Sequence, residues 1–253
     1  MKKACFPLLI ALLWTSALTA QSERGSKYGF RLSTGVAWLN PDMSDVGNKA
    51  RGAFGFGATV DLPLTSNLAL STGLGGNFTG GTLKFPQHAV PVRDTSKSSN
   101  AFINEGVYKL RYVKAPLTFK GMTNKIGHLR YFLEFGGSLA YNYYARLDMK
   151  NVQITGSSFE KQEDYPIKGM VRNLRVTMVI RAGAEYNISG STNLAFSATF
   201  DNGLTNTFNP KEAPTFVANS NNLPKRDDNG DLMGSDKMKA VANSITVDVA
   251  VLF

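Results

Sequence analysis

The chain has 253 residues, a formal net charge of +9 and only 43% hydrophobic residues, with 24 glycines and one cysteine. That lone cysteine, Cys5, excludes a disulfide framework, and after residue 20 no apolar run reaches the length of a membrane-spanning helix. The excess of basic residues suits anionic lipid headgroups or surface glycolipid rather than nucleic acid, given the export signal described next.

The chain opens with the layout of a secretory signal peptide. Lys2 and Lys3 precede an apolar run from Phe6 to Leu18, and Ala17-Leu18-Thr19-Ala20 offers a cleavage site before Gln21. Residues 1–20 are therefore assigned to a signal and residues 21–253 to one exported domain. Loss of Lys2 and Lys3 leaves 26 basic against 19 acidic residues, a net of +7.

Eight segments then alternate with a period of two, the pattern of strands that separate two environments. The first sets Tyr28, Phe30, Leu32, Val36 and Trp38 against Arg31, Ser33 and Gly35. The second sets Phe54, Phe56, Ala58, Val60 and Leu62 against Gly55, Gly57, Thr59 and Asp61, and the third sets Leu68, Leu70, Leu74 and Phe78 against Ala69, Ser71, Gly73, Gly75 and Asn77. The fourth, from about Val107 to Lys120, changes parity: Tyr108, Leu110 and Tyr112 fall on one face, Val113, Ala115, Leu117 and Phe119 on the other. A β-bulge near Tyr112 is expected to reset the phase, and Pro116, which has no N–H, adds an irregularity. The fifth opposes Leu129, Tyr131, Leu133, Phe135, Leu139, Tyr141, Tyr143 and Leu147 to Arg130, Glu134, Ser138, Asn142 and Arg146. The sixth opposes Leu174, Val176, Met178, Ile180, Ala182 and Tyr186 to Arg175, Thr177, Arg181 and Glu185, and the seventh opposes Leu194, Phe196, Ala198 and Phe200 to Ser197, Thr199 and Asp201. The eighth places Val241, Asn243, Ile245, Val247, Val249, Val251 and Phe253 on one face and Asp248 on the other.

The connections alternate in length. Residues 40–50, 79–106, 148–170 and 207–239 read as long polar loops, and 63–67, 121–128 and 187–193 as tight turns. Long loops at one end and short turns at the other are the asymmetry of an outer-membrane barrel. The predicted fold is all-β: an eight-stranded antiparallel up-and-down transmembrane β-barrel in the bacterial outer membrane, closed by pairing of the last strand with the first. A soluble barrel or sandwich would turn its apolar face inward. Here the opposite face carries charges of both signs, which lean to Arg and Asp and suit a paired polar lumen. Arg31, Asp61, Glu134, Arg181 and Asp248 are the candidate lumen network, with Asp248 facing Arg31 or Arg181. An eight-stranded barrel is filled by its own side chains, and the charges are expected to occupy most of it.

The stretch Tyr112-Val113-Lys114-Ala115-Pro116-Leu117-Thr118-Phe119-Lys120 resembles the tyrosine-x-acidic-aliphatic-proline-leucine segment of PorT-like outer-membrane barrels. Tyr112 and Pro116 carry the match, while Lys114 and Ala115 stand where that family has an acidic and a larger aliphatic residue. The resemblance implies recognition of the last strand by the barrel-assembly machinery, with Phe253 as terminal signal, and a role in protein secretion across the outer membrane.

Catalytic and metal chemistry is weakly represented, and no cofactor is expected. His88 lies near Asp94, Ser96 and Ser98, but their spacing imposes no triad geometry. His128 is expected in a turn. Asp227, Asn229 and Asp231 echo a calcium loop, but Gly230 is at the fourth position and Met238 replaces the closing Glu. The expected function is a non-enzymatic accessory component of envelope or secretion assemblies, engaging partner proteins through loop 207–239. A surface adhesin, a small-solute barrel and a membrane-embedded hydrolase are the alternatives.

Overall fold

The computed structural model describes residues 25–42, 46–85, 101–102, 105–154, 157–209, 215–216, 236–237 and 239–253. The signal segment 1–20, His88 with its neighbours and the Asp227–Asp231 stretch lie outside the described residues.

Eight long strands form one antiparallel ring: β1 (Lys27–Pro41), β2 (Arg51–Pro63), β3 (Leu68–Lys84), β4 (Glu105–Met122), β5 (Leu129–Ile154), β6 (Leu174–Ser189), β7 (Thr192–Gly203) and β8 (Ala240–Leu252). Each pairs with its chain neighbours, and β8 closes the ring against β1 in the register Arg31↔Ala250, Ser33↔Asp248 and Trp38↔Asn243. Tyr28 and Phe253 exchange backbone hydrogen bonds of 3.1 and 2.7 Å at the seam. Among the described residues no helix is long and apolar enough to cross a membrane.

The alternation sorts the side chains. Phe30, Leu32, Phe56, Leu74, Leu117, Phe119, Leu133, Phe135, Leu139, Ile245 and Val247 are exposed on the outer wall. Because such a band has no place against water, it marks the lipid-facing zone. Aromatic residues edge it: Tyr28, Tyr131, Tyr186 and Phe253 at the turn end, and Trp38, Tyr141, Tyr143 and Tyr144 at the other. At the upper edge the Arg111 guanidinium lies 4.2 Å from the Tyr144 ring centroid and 5.3 Å from that of Phe78.

The three short connections are tight turns. In two of them Gly127 (φ 64°) and Gly190 (φ 54°) take the left-handed conformation, where a Cβ would be strained. At the opposite end the expected loop 148–170 is largely strand. β5 runs 26 residues, and Ser157–Pro166 returns along it, pairing Ile154↔Ser157 through Arg146↔Pro166. Gly47–Lys49 and Ala101–Phe102 add short pairings to β3 and β5, and a 3₁₀ turn covers Lys168–Met170. The sequence of these extensions mixes polar and apolar residues without a period of two, so no alternation betrays them.

The expected bulge exists, on the neighbouring strand. The β4–β5 register passes from Arg111↔Tyr144 to Tyr112↔Asn142, so Tyr143 has no opposite number. β4 keeps one phase throughout: Tyr108, Leu110, Tyr112, Lys114, Pro116, Thr118 and Lys120 all point inward, and Val113, Leu117 and Phe119 outward. β5 changes phase. Below Tyr143 the even-numbered Phe132, Glu134, Ser138 and Asn142 are buried, and above it the odd-numbered Ala145, Leu147 and Met149. Arg146 is therefore turned out and Leu147 in, the reverse of the strict alternation.

Inside the loop end lies an apolar core of Leu39, Leu83, Tyr108, Leu110, Tyr112, Leu147, Met149, Ile167, Val171 and Phe208. Tyr108 and Phe208 meet edge-to-face at 5.3 Å between ring centroids. The charges thus fill only part of the interior, and this end is sealed by packed hydrocarbon.

Candidate functional site: the charged lumen and its wall

Below the apolar core the lumen is polar and ordered in three tiers. Nearest the turns, Lys120 on β4 bonds Asp61 of β2 at 2.6 Å and also pairs with Glu185 of β6. Lys27 joins Glu185 at 2.8 Å, and the Lys120 ammonium sits 4.5 Å from the Phe132 ring centroid. In the middle tier Arg181 pairs with Glu134 and, through Nε at 3.3 Å, with Asp248. Thr199 also donates to Asp248, as do Thr246 at 3.0 Å and Ser197 at 3.4 Å, and Thr118 donates to Glu134 at 3.1 Å. In the upper tier Lys114 bonds Asp201 at 2.6 Å, and Arg175 donates to the Ala242 carbonyl at 2.6 Å with its guanidinium 5.5 Å from the Tyr112 ring centroid.

The strands place these groups by register. Glu134, Arg181, Thr199 and Thr246 are successive cross-strand neighbours on β5, β6, β7 and β8. One inward row of four strands therefore lays acid, base and hydroxyls side by side. Such pairing is required in a narrow interior, since a buried charge without a partner is costly.

Of the five lumen candidates, Glu134, Arg181 and Asp248 form one cluster and Asp61 belongs to the tier below. Arg181, rather than Arg31, meets Asp248. Among the described residues Arg31 has a single hydrogen bond, Nη2 to Thr59 Oγ1 at 3.4 Å, and no ion pair. The lean to Arg and Asp is slight: the buried charges are Arg175 and Arg181 with Lys120, and Asp61, Asp201 and Asp248 with Glu134 and Glu185. Lys114 and Lys120 anchor two tiers, and Glu134 and Glu185 are two of the five carboxylates paired across the three tiers. Both lysines were legible, because Lys114, Pro116, Thr118 and Lys120 share a parity opposite Val113 and Leu117; the parity break at Tyr112 obscured it.

Tyr112 is buried at the boundary between the charges and the apolar core. Pro116 accepts a 2.9 Å hydrogen bond from Thr72 at its carbonyl. Phe253 is exposed beside the turn-end mouth, a hollow of about 610 Å³ also lined by Lys27, Lys125, Arg130 and Asn187. His128 sits in its turn with its ring 5.9 Å from that of Tyr186. Among the described residues no group of His, Cys, Asp and Glu is placed to hold a metal ion. The lumen cavity is small, about 80 Å³, and borders Arg31, Lys114, Pro116, Arg181, Asp201 and Asp248.

Comparison with solved structures finds other outer-membrane barrels of low identity. Neisserial surface protein A is 10% identical, with 91% of this chain and 100% of that one covered at a TM-score of 0.37. OprG from Pseudomonas aeruginosa is 8% identical, with 89% and 95% covered at 0.45. Ail of Yersinia pestis, solved with the heparin analogue sucrose octasulfate, is 9% identical, with 91% and 100% covered at 0.35. No curated protein sequence matches the chain. The family model for the outer membrane protein beta-barrel domain matches residues 19–209. With the closed eight-stranded ring and its lipid-facing band, that match places the protein in the bacterial outer membrane, as a member of the outer membrane protein beta-barrel domain family.

Proposed function

We propose that this barrel is a non-enzymatic structural or accessory component of the envelope, PorT-like in serving protein secretion rather than solute passage. One observation carries the reading: the interior is occupied by ion-paired tiers below and a packed apolar core above, with a cavity of about 80 Å³ between strands. A barrel so filled offers its surroundings the outer wall and the extensions at its loop end. The extension of β5 with Ser157–Pro166 carries strand beyond the aromatic edge, and this strand and the sequence of loop 207–239 are the segments offered to partner proteins. Residues 1–20 serve as the export signal and Phe253 as the mark read by the barrel-assembly machinery.

The test is photo-crosslinking in intact cells from positions in the Ser157–Pro166 strand and in loop 207–239, with planar-bilayer recording of the purified protein. The expected outcome is capture of envelope or secretion proteins and no steady conductance. Large, sustained conductance with no captured protein would replace this reading with a solute pore.

A further inference from the structure

We propose that the outer wall of β3, β4 and β5 binds a phosphorylated glycolipid of the outer leaflet, its phosphate on Arg111 and Arg146 and one acyl chain in the apolar groove directly below them.

The bulge at Tyr143 brings the cations together. It turns Tyr144 and Arg146 to the outside, where Arg111 also points. Phe78, Arg111 and Tyr144 are successive cross-strand neighbours on β3, β4 and β5, and Arg146 stands opposite Lys109, one outward step nearer the loops. The Arg111 guanidinium lies 4.2 Å from the Tyr144 ring centroid and 5.3 Å from that of Phe78, and the Arg146 guanidinium lies 5.5 Å from the same Tyr144 ring. Three cations thus gather around one tyrosine at the upper aromatic edge.

Like charges on facing strands repel unless an anion stands with them. Two carboxylates are present, and both hold Lys109: Asp148 at 2.6 Å and Asp164 at 3.1 Å. Arg146 donates only to the Asp164 carbonyl, at 2.9 Å. Among the described residues neither Arg146 nor the exposed Arg111 has a carboxylate partner. A guanidinium donates to two phosphate oxygens in one plane, and stacking on a ring fixes that plane before a ligand arrives. Two guanidiniums match a phosphate monoester, with about 1.5 to 2 negative charges near neutrality. The diester of a phospholipid carries one.

The groove makes the ligand a lipid. It measures about 660 Å³ and crosses the outer wall from β1 to β5, rimmed by Phe30, Leu32, Phe56, Leu74, Val113 and Tyr143, with Ala58 and Gly76 in its floor. Leu32, Phe56, Gly76 and Val113 are successive cross-strand neighbours. Gly76 and Val113 lie two residues below Phe78 and Arg111 on the same outward face, a step of about 7 Å. Cations and groove are therefore continuous on the lipid side of the wall, with the cations at the loop end. A soluble anion would leave the groove empty, and a neutral hydrocarbon would leave the arginines bare. A phosphate monoester on an acylated sugar occupies both.

The experiment uses the full barrel in phosphatidylcholine nanodiscs, with the photoreactive residue benzoylphenylalanine replacing Phe56 in the groove or, as control, Phe196 on β7. Each disc carries a minor fraction of one probe: monophosphoryl lipid A, the same glycolipid with its phosphate removed, or phosphatidylglycerol. Mass spectrometry of the photo-adducts identifies the captured lipid. The expected result is capture of the phosphorylated glycolipid at the Phe56 position at least tenfold above its share of the disc, with no enrichment at the Phe196 position. Arg111→Gln with Arg146→Gln should abolish the enrichment. Ala58→Trp, which fills the groove from the lipid side, should do the same, while each folded variant keeps its altered gel mobility without heating. Equal enrichment of the dephosphorylated glycolipid or of phosphatidylglycerol, enrichment at both positions or at neither, or capture unchanged in either folded variant, would overturn the proposal.

Discussion

At the scale of single residues the decisive group is Lys120. Its side chain is 1% exposed and holds Asp61 and Glu185, themselves 6% and 2% exposed, from opposite sides of the lumen. Removing one member of a buried ion cluster strands the others in a medium that solvates charge poorly. Lys120→Met should therefore lower stability by about 3–5 kcal/mol, measured by urea unfolding from lipid vesicles. Adding Asp61→Asn and Glu185→Gln should recover most of the loss, because the cost is that of the orphaned carboxylates rather than of a missing bond. A loss that persists in the triple variant would assign Lys120 a packing role through its contact with Phe132.

At the scale of elements the return strand Ser157–Pro166 is held by a charge clip above the membrane. Lys109 on β4 bonds Asp148 of β5 at 2.6 Å and Asp164 of the return strand at 3.1 Å, and the Asp164 amide donates to Asp148 at 2.9 Å. Partial burial works to raise the Asp148 carboxyl, but the hydrogen bond from Lys109 and the Asp164 amide outweigh it, and the group titrates below its ordinary value. Lys109 is held above its ordinary value, chiefly by the hydrogen bond to Asp148. A lowered acid contributes stability above its unfolded value of 3.8, lost as pH falls through its folded one. A raised base contributes below 10.5 and loses that as pH climbs through its folded value. Hydrogen exchange of the Ser157–Pro166 backbone, corrected for intrinsic rate, should thus stay level between those limits and rise in stronger acid, and Asp148→Asn should remove the acid limb. This extension was the part of the fold least visible beforehand. Lys150-Asn151-Val152-Gln153 and Ser157–Pro166 are mixed in polarity, and such a stretch has no period of two to read.

At the scale of the whole molecule the barrel is closed twice. Charged tiers fill the turn end and aromatic packing the loop end, and the two meet at Arg175 and Tyr112. Tyr108→Ala with Phe208→Ala should leave planar-bilayer recordings without steady conductance, because the ion-paired tiers below still obstruct the passage; an open channel in this variant would place the seal in the apolar core alone. The ring, its strand count and its closing pair were legible because lipid on one side and lumen on the other enforce alternation on every strand from Phe30 to Val251. The division of the interior was not, since Tyr108, Leu110 and Tyr112 are apolar yet inward, and alternation alone assigns such residues to lipid. The pairing of charges was half legible. Parity identifies which groups face the lumen, but the choice of Arg181 over Arg31 for Asp248 depends on register around the ring.

The unpaired Tyr143 divides β5 into two reading frames. Below it even numbers belong to the lumen, above it odd numbers, and the frame shift is absorbed by one residue. Elsewhere along a paired barrel strand, losing a single residue reverses every side chain beyond the cut, sending charges to lipid and hydrocarbon to the lumen. At Tyr143 the same loss would remove the bulge and leave every face as it is, with Asn142, Ala145, Leu147 and Met149 inward and Tyr144 and Arg146 outward. The bulge thus sits where the barrel's ionic and oily halves meet, and it is the one place along β5 where a residue can be lost without turning either half inside out.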